Sequence, residues 1–425
     1  MTRCAATRGG SRAPIVRMST RAHTLRDVIA VIPKECYENP TWKGLLWIAR
    51  DILIYAAIVT GLVLVDSPWL ILLWLLAGLS ISGLFILGHD AAHKALFRNK
   101  RLNRVMAQLT FLPSLHIHEG WVFGHNRLHH GHTVRQHMDF VWHPIGPEEY
   151  SALSGFKKLV HRVFWSPVGA GLYYMCSIWW QKMMIFRPPE KQAAAHRVEK
   201  AIVLSYILAA TVALAYGGYW AYGNAWGGLW MWAKVFAIPF FLWNYSIGIV
   251  VYLNHIHPTI QWLKRTEWTR FKGQMEGTVV LHFPWFLNFF YHNIFLHIAH
   301  HVDTRIPFYA LPKATRAIGE AYAEVVREER FSILEYLRIT KRCKLFDFES
   351  GVWLRYGEPA PEASPASEVS PAPEASPAPE VSPAPEASPA PEASPAPEAS
   401  PAPEASPGAS PASELGEETG AEVGS

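Results

Sequence analysis

The stretch "DILIYAAIVTGLVLVDSPWLILLWLLAGLSISGLFILG", residues 51–88, is almost wholly apolar and is interrupted only at Asp66-Ser67-Pro68. A helix needs about 20 apolar residues to cross a bilayer, so this stretch is long enough for two crossings. Serine and proline at the interruption favour a tight turn. The sequence therefore predicts two membrane-spanning helices joined by that turn.

A second apolar pair lies further along the chain, at residues 201–221 and 228–253. The glycine- and asparagine-containing "YGNAWG" between them predicts another turn. Weaker apolar runs at 105–115 and 163–186 are broken by proline, glycine or charges, and we interpret them as interfacial or re-entrant segments. We expect an all-α membrane protein with four transmembrane helices in two hairpins.

This topology predicts which parts of the chain share one side of the membrane. Two hairpins place the N-terminus, the loop 89–200 and everything after 254 on the same side. That side carries nearly every lysine and arginine, which the positive-inside rule assigns to the cytoplasm. We expect a multi-pass protein of a bacterial inner membrane, with a histidine-rich helical cap that faces the cytoplasm.

The two ends of the chain differ in composition from its centre. Residues 1–24 are rich in arginine and lack the apolar core of a signal peptide, so we interpret them as a basic, disordered extension or a targeting arm. From Glu362 an "EASPAP" motif recurs every six residues, and its prolines prevent helix and sheet. The expected division is an extension at 1–24, a membrane domain at 25–350 and a disordered Pro/Ala/Ser/Glu tail at 351–425.

Charge and cysteine content exclude several classes of protein. The net charge of +4 is small and spread along the chain, which gives no reason to expect a nucleic-acid partner. Four cysteines lie far apart, at positions 4, 36, 176 and 343, without metal-ligand spacing. We therefore expect neither a disulfide framework nor an iron–sulfur centre.

Histidines gather in three clusters on the same predicted side of the membrane. In "HDAAH" two histidines are four residues apart, so they share one face of a helix. The other clusters are "HNRLHH" and "HIAHH", and single histidines occur after the fourth span and before the last cluster. The candidates are His89, His93, His125, His129, His130, His255, His292, His297, His300 and His301.

Metal binding explains this concentration better than packing or pH sensing. Buried imidazoles each need a polar partner, and a pH switch would need far fewer of them. Eight clustered histidines exceed the four ligands of one zinc ion, and they suffice for two metals. Imidazole binds zinc, copper, iron and nickel alike. The apolar setting suggests a long apolar substrate, and iron with dioxygen can remove hydrogen from an unactivated methylene, so two iron ions are favoured.

The order "GHDAAHK", "HNRLHHGHT", "YLNHIHP" and "HNIFLHIAHHVDTRIPFY" resembles the integral-membrane fatty acid desaturases. The match is closest to the Δ12 (omega-6) acyl-lipid branch and covers roughly residues 25–345. The stretch "VIPKECYENPTWKGLLWIARD" also resembles the start of that branch and favours Met18 as the working start. The second cluster departs slightly, since it has three residues before its paired histidines where relatives often have two.

The resemblance implies an enzyme that uses two iron ions and dioxygen to place a cis double bond in a fatty acyl lipid, at Δ12 of an oleoyl chain. It implies no catalytic residue beyond the metal ligands. Those ligands would be His89, His93, His125, His129, His130, His297, His300 and His301, with His255 as an additional ligand and His292 and His257 as weaker candidates. Electrons would come from a ferredoxin or a cytochrome b5-type carrier, because the sequence has no haem motif and no cysteine cluster.

Two alternatives stay open from the sequence alone. A related di-iron hydroxylase would use the same ligands on an acyl chain, and product analysis would separate it from a desaturase. A membrane metal-binding or transport protein usually has its ligands at the bilayer midplane, whereas these clusters lie beyond the predicted spans. Chain length, double-bond position and the carrier of the acyl group (lipid, coenzyme A or protein) are likewise open.

Overall fold

Four long apolar helices organise the chain. The computed structural model describes residues 23–361, which are mainly helical. Among these residues, four helices are long and apolar enough to cross a membrane, as predicted. We name them the first to fourth membrane helices, and they run over Thr41–Leu64, Leu70–Ala92, Glu190–Tyr222 and Ala225–His255.

The second and fourth membrane helices form the centre of the apolar core. The second is buried continuously from Ser80 to Ala92. Gly78 lies against the fourth helix so closely that a Cβ there would be 3.2 Å from the carbonyl carbon of Leu242. Small residues allow such close approach between helices in a membrane. This contact fixes the helix that carries "HDAAH" against the helix that ends at His255.

The fourth membrane helix is not a uniform α-helix. It consists of Ala225–Trp232, a π-helical turn at Ala233–Ala237, and Ile238–His255. Pro239 cannot donate a backbone hydrogen bond, and a wider turn before a proline accommodates the missing bond. The helix thus continues without a break to His255.

Lys234 is a fully buried cation in this helix, at the end remote from the histidines. Its Nζ donates to Asp66 Oδ1 at 2.9 Å, to the Tyr222 hydroxyl at 2.9 Å, and to the carbonyls of Val63 and Val65 at 3.3 Å each. These partners come from the ends of the first and third helices and from the turn after the first. The ammonium group therefore joins three helices and a turn.

Replacing Lys234 by methionine should lower the stability of the folded protein. The change leaves two carbonyls and a hydroxyl without their donor, and such hydrogen bonds to a charged group contribute about 1.5–3 kcal/mol each when buried. We expect the total loss in the free energy of unfolding to lie at the low end of that range, because the Asp66 side chain is 45% exposed and can regain water. The measurement is the thermal midpoint in detergent, with the exposed Lys341→Met as the matched control. Equal midpoints for both variants would contradict a stabilising role for Lys234.

Shorter helices build the rest of the described chain. The α-helices are Leu25–Val31, Lys100–Phe111, His118–Trp121, His130–His132, Pro147–Ala152, Gly155–Phe164, Ala170–Tyr173, Arg270–Met275, Trp285–Tyr291, His297–Val302, Leu311–Ala321 and Ile333–Arg342. The π-helical segments Val122–His129 and Tyr174–Met184 and the 3₁₀ turns Lys34–Tyr37 and Phe308–Ala310 complete the set. The runs predicted as interfacial or re-entrant thus form helices, and their placement at the membrane surface stays a prediction.

Two small sheets lie after the fourth membrane helix. Val280–His282 pairs in parallel with Glu328–Arg330, and Leu345–Asp347 pairs antiparallel with Val352–Leu354. Trp353 and Leu354 are 2% and 1% exposed. The packed region therefore extends past the tail boundary expected at 351, because this last strand buries apolar side chains that the proline-rich repeat lacks. The repeat from Glu362 and nearly all of the predicted extension at 1–24 lie outside the described residues.

Candidate metal centre

Nine of the candidate histidines converge into two groups. In each group, one ring nitrogen from every member lies within 4.8 Å of the others. The first histidine group contains five residues, His89, His93, His125, His130 and His300. The second histidine group contains four, His129, His255, His297 and His301.

The second membrane helix supplies the first pair. The helix continues to Ala92, so His89 lies within its last turns, and His93 caps its end. The two rings lie one turn apart and meet edge to face, with centroids 4.7 Å from each other. The shared face predicted from their spacing is confirmed.

A π-helical segment divides the second cluster between the two groups. The backbone N–H of His130 donates to the carbonyl of His125, five residues earlier. This wider turn brings His125 and His130 to the same side, with their Nε2 atoms 3.1 Å apart. His129 then points to the second group. The extra residue in this cluster is thus accommodated by the π-helical geometry.

The third cluster also serves both groups, from the short helix His297–Val302. His297 and His301 are one turn apart, and their Nε2 atoms are separated by 3.1 Å. His300 faces the other way, with its Nε2 3.1 Å from that of His130. His255, the last residue of the fourth membrane helix, places its Nε2 3.2 Å from that of His297. Four separate elements of the chain therefore meet at one place.

Hydrogen bonds at the outer ring nitrogens determine the protonation state of two rings. His255 Nδ1 donates to the carbonyl of Gly277 at 3.1 Å, and His297 Nδ1 donates to the carbonyl of Ile294 at 3.0 Å. A carbonyl only accepts, so in the neutral ring each Nε2 carries a lone pair and no proton. Those two lone pairs face each other at 3.2 Å. They repel unless a cation lies between them.

The spacing of the inner nitrogens fits metal coordination. Two nitrogens that bind one metal at about 2.1 Å, at right angles, are about 3.0 Å apart. The closest Nε2 pairs in the two groups are 3.0–3.2 Å apart. His93 Nε2 is buried and has no hydrogen-bond partner among residues 23–361. A metal ion would satisfy this unpaired atom and the facing lone pairs together.

Burial keeps these imidazoles in the form that metals bind. Loss of water lowers the pKa of His300 and His301 well below the ordinary value, and neighbouring imidazoles lower it further. The same causes lower the pKa of His125 and His130. These four rings are therefore neutral at physiological pH, and a neutral imidazole has the lone pair that ligation requires.

Three polar residues that the sequence analysis did not select orient the rings. His129 Nδ1 donates to Asp139 Oδ1 at 2.9 Å, and His301 Nδ1 donates to Gln274 Oε1 at 2.8 Å. Asp90 Oδ1 lies 3.2 Å from His89 Nδ1. Such partners fix the ring orientation of metal-binding histidines. Asp139 could have been recognised as a lone acid in the apolar "MDFVW", whereas nothing near Gln274 in the sequence indicates its role.

His292 and His257 lie outside both groups in the described part of the chain. His292 Nε2 is 2.6 Å from Asp51 Oδ2 of the first membrane helix. His257 contacts Thr259 Oγ1 through Nδ1 at 2.7 Å and Glu329 Oε1 through Nε2 at 3.1 Å. Each ring already has a polar partner, and the structure brings neither ring to the other histidines.

An apolar cavity lies against the histidines, and the second and fourth membrane helices both contribute to its wall. Aromatic and aliphatic side chains form nearly all of its wall. The lining residues include Phe85, Ile86, Trp121, Tyr174, Ile178, Met183, Ile247 and Val250, and the histidines in its wall are His89, His125, His129, His255 and His297.

The sequence model of the fatty acid desaturase family matches residues 67–331, which contain all nine histidines of the two groups. The chain belongs to the fatty acid desaturase family. The desaturase is thus an oxidoreductase, as the resemblance implied. The matched region also includes the second to fourth membrane helices and most of the cavity wall.

Named relatives of the desaturase cover most of its length. It is 29% identical over 328 residues to an sn-1 oleoyl-lipid 12-desaturase of Picosynechococcus sp., a match that spans 76% of this chain and 90% of the relative. It is 27% identical to a chloroplastic omega-6 fatty acid desaturase of Glycine max, across 77% of this chain and 75% of the relative. An sn-1 acyl-lipid omega-3 desaturase (ferredoxin) of Nostoc sp. is 29% identical, across 71% and 82% of the two chains.

Proposed function

We propose that each histidine group holds one iron ion, and that the enzyme uses both with dioxygen to introduce a cis Δ12 double bond into an oleoyl chain carried on a lipid. The observation that carries this proposal is the pair of facing lone-pair nitrogens, His255 Nε2 and His297 Nε2, in the wall of an apolar cavity. A cation between them relieves their repulsion. An apolar chain in the cavity would pass beside that cation.

The donor set supports iron in both groups. All nine inner ligand atoms are ring nitrogens of buried or partly buried histidines. Imidazole suits iron among several metals, and the family is one of di-iron enzymes. When bound, the iron pair supplies the activation of dioxygen that no protein side chain provides.

The residues around the histidines prepare the site for an apolar substrate. Phe85 and Ile86 of the second membrane helix face Ile247 and Val250 of the fourth across the cavity. These walls bind an acyl chain by removing it from water, and they exclude water from the reacting methylenes. The Trp121 ring stacks on His125 with centroids 4.4 Å apart and so fixes the orientation of that imidazole.

The reaction requires electrons from outside the chain. Conversion of one CH2–CH2 unit to CH=CH with one dioxygen consumes two electrons and two protons and releases two water molecules. A ferredoxin, or a cytochrome b5-type carrier, would deliver the two electrons one at a time. The name of the Nostoc relative supports ferredoxin.

The named relatives support the substrate that we propose, and the apolar helices support a location in a membrane. Relatives from Picosynechococcus and Glycine are named as an oleoyl-lipid 12-desaturase and an omega-6 desaturase. The four apolar helices support a multi-pass membrane protein, and we propose two hairpins that place the histidine-bearing cap on the cytoplasmic side of a bacterial inner membrane. Residues 1–24 and the repeat tail would lie outside the catalytic domain.

Expression in a host that makes only monounsaturated fatty acids tests the proposal. We expect an 18-carbon diene with double bonds at positions 9 and 12 in the membrane lipids, and two iron ions per purified chain. The measurements are mass spectrometry of fatty acid derivatives and elemental analysis. A hydroxylated product from iron-loaded protein, or an unchanged lipid profile, would overturn the proposed function.

A further inference from the structure

We propose that the exposed face around Trp268 is the docking surface for a small acidic one-electron carrier protein, and that Trp268 and Thr133 connect this surface to the second histidine group. The inference rests on the proposed function, which requires an external electron donor. The inference adds the place where the donor binds and names the side chains that lie between the donor and the metal site.

The route inward begins at the Trp268 indole, which is partly exposed. Its Nε1 donates to the backbone carbonyl of Thr133 at 2.9 Å. The Thr133 hydroxyl donates to the carbonyl of His129 at 2.9 Å and lies 3.3 Å from His301 Nδ1. A single residue therefore separates the indole from two members of the second histidine group.

A short helix, Arg270–Met275, forms the wall beside this route. On its inner side Gln274 accepts from His301 Nδ1 at 2.8 Å, and it donates through Nε2 to the carbonyl of His130 at 2.7 Å. Gly273 has no room for a side chain, because a Cβ there would be 2.8 Å from Trp268 Nε1 and 3.1 Å from the Thr133 carbonyl oxygen. The wall is thus one residue thick and closely packed. Electron transfer slows steeply with distance, so a thin, well-packed wall favours a donor at this position.

The outer side of the same segment is basic. The Arg135 guanidinium lies over the Trp268 ring at 5.5 Å, and the His132 ring is 5.9 Å from it. Arg270 is exposed at the start of the helix Arg270–Met275. Lys272 is partly exposed two residues further along the chain. Of these cations Arg135 lies against the indole, and the neighbouring Lys264 is already paired with Glu349.

Charge complementarity selects an acidic partner for this face. Basic side chains close in sequence to a partly exposed aromatic ring attract a carrier with carboxylates around its redox centre and accelerate their encounter. Each docked carrier would give up one electron and be oxidised, and two successive encounters would supply one turnover. The carrier leaves after each transfer, so a weak, salt-sensitive interface is expected.

A charge-reversed double variant, Arg135→Glu with Arg270→Glu, tests the docking surface. The matched control is Arg338→Glu with Lys341→Glu, which changes the net charge equally on the exposed face of another helix. We expect the first variant to bind an oxidised acidic [2Fe–2S] carrier about tenfold or more weakly at low salt, with little salt dependence left, and the control to bind like the wild type. Binding is measured by surface plasmon resonance on enzyme in nanodiscs of neutral lipid, with iron per chain determined in parallel.

Equal carrier affinity for the double variant and the wild type would overturn the docking surface. If the double variant, with unchanged carrier binding, also lost affinity for vesicles that contain anionic lipid, the face would be assigned to lipid headgroups. Failure of the proposed function is recognised separately, because the wild type would then form no diene with reduced carrier whatever the binding result.

The role of Trp268 is tested by the rate at which reduced carrier is oxidised in stopped-flow mixing. We expect Trp268→Leu to slow this oxidation several-fold without changing carrier affinity, and Trp268→Phe, which restores an aromatic ring, to recover most of the rate. Identical rates in the wild type and both variants would remove Trp268 from the electron route.

Discussion

The substitution His300→Ala should leave the desaturase in the membrane at normal abundance and reduce its activity by more than about 100-fold. This loss is larger than the one typical for a residue that only orients a metal ligand. The imidazole of His300 links three elements of the first histidine group. Its Nε2 is 3.1 Å from that of His130, and its ring centroid is 4.5 Å from that of His89 and 4.8 Å from that of His93. Removing it takes away one of five nitrogens around the proposed metal. Insertion depends on the apolar membrane helices, which the change does not touch.

The measurement is the diene content of host lipids beside the amount of desaturase in the membrane fraction, with iron per chain in purified protein. His282→Ala is the matched control, because its ring is half exposed and pairs with Glu328 at 2.9 Å, away from both groups. We expect the control to retain activity. A His300→Ala enzyme that kept substantial turnover and a full iron content would contradict the assignment of His300 as a ligand.

The four membrane helices could be predicted because the bilayer imposes their length. An apolar run of about 20 residues has few other stable solutions, and two such runs flank each predicted turn. Their ends were harder to predict. The third membrane helix begins at Glu190, directly after Pro189 at its N-cap and well before the apolar run at 201. Its first turns carry charged side chains, so hydropathy does not mark where this helix begins.

The distribution of histidines between two groups could not be read from spacing. A regular α-helix would place His125 and His129 on one face, whereas the π-helical turn places His125 with His130. The adjacent pair His300 and His301 is likewise divided, since neighbouring residues on a helix point in different directions. Only the packing of four separate elements decides which nitrogens meet.

Lys234 illustrates a different limit of the sequence. Its position within an apolar run is a visible signal, and ionisable groups at such positions need a partner. The partner is Asp66, more than a hundred residues earlier in the chain, at 2.9 Å. Nothing local in the sequence joins these residues, because their contact depends on how the first and fourth membrane helices pack.

The second prediction with a large effect separates His255 from its neighbour His257. We expect His255→Ala to lose bound iron and nearly all activity, and His257→Ala to retain both. His255 is the last residue of the fourth membrane helix and is 2% exposed. Its Nε2 lies 3.2 Å from that of His297, and its ring is 4.6 Å from the ring of His129. A ligand on a rigid helix is held more precisely than one in a loop.

His257 lies just beyond the helix and already has two polar partners. Pro258 follows it and disfavours helical geometry at the preceding residue, so the chain turns away from the histidine groups there. The Nδ1 of His257 contacts Thr259, and its Nε2 contacts Glu329 on the second strand of the parallel sheet. His257→Ala therefore removes a contact between that sheet and the turn, which should lower thermal stability modestly without removing a metal ligand.

The two variants form a matched pair, because each deletes one buried imidazole two residues from the other. Iron per chain, measured on detergent-purified protein, distinguishes them even if both lower the yield. The Nδ1 of His255 donates to the carbonyl of Gly277, so a His255→Gln variant, which can donate to that carbonyl but offers a weaker metal ligand, separates loss of the ligand from loss of packing. We expect His255→Gln to resemble His255→Ala in iron content and the wild type in thermal midpoint. Loss of iron from His257→Ala with full iron in His255→Ala would reverse the assignment and place the additional ligand in the turn beyond the helix.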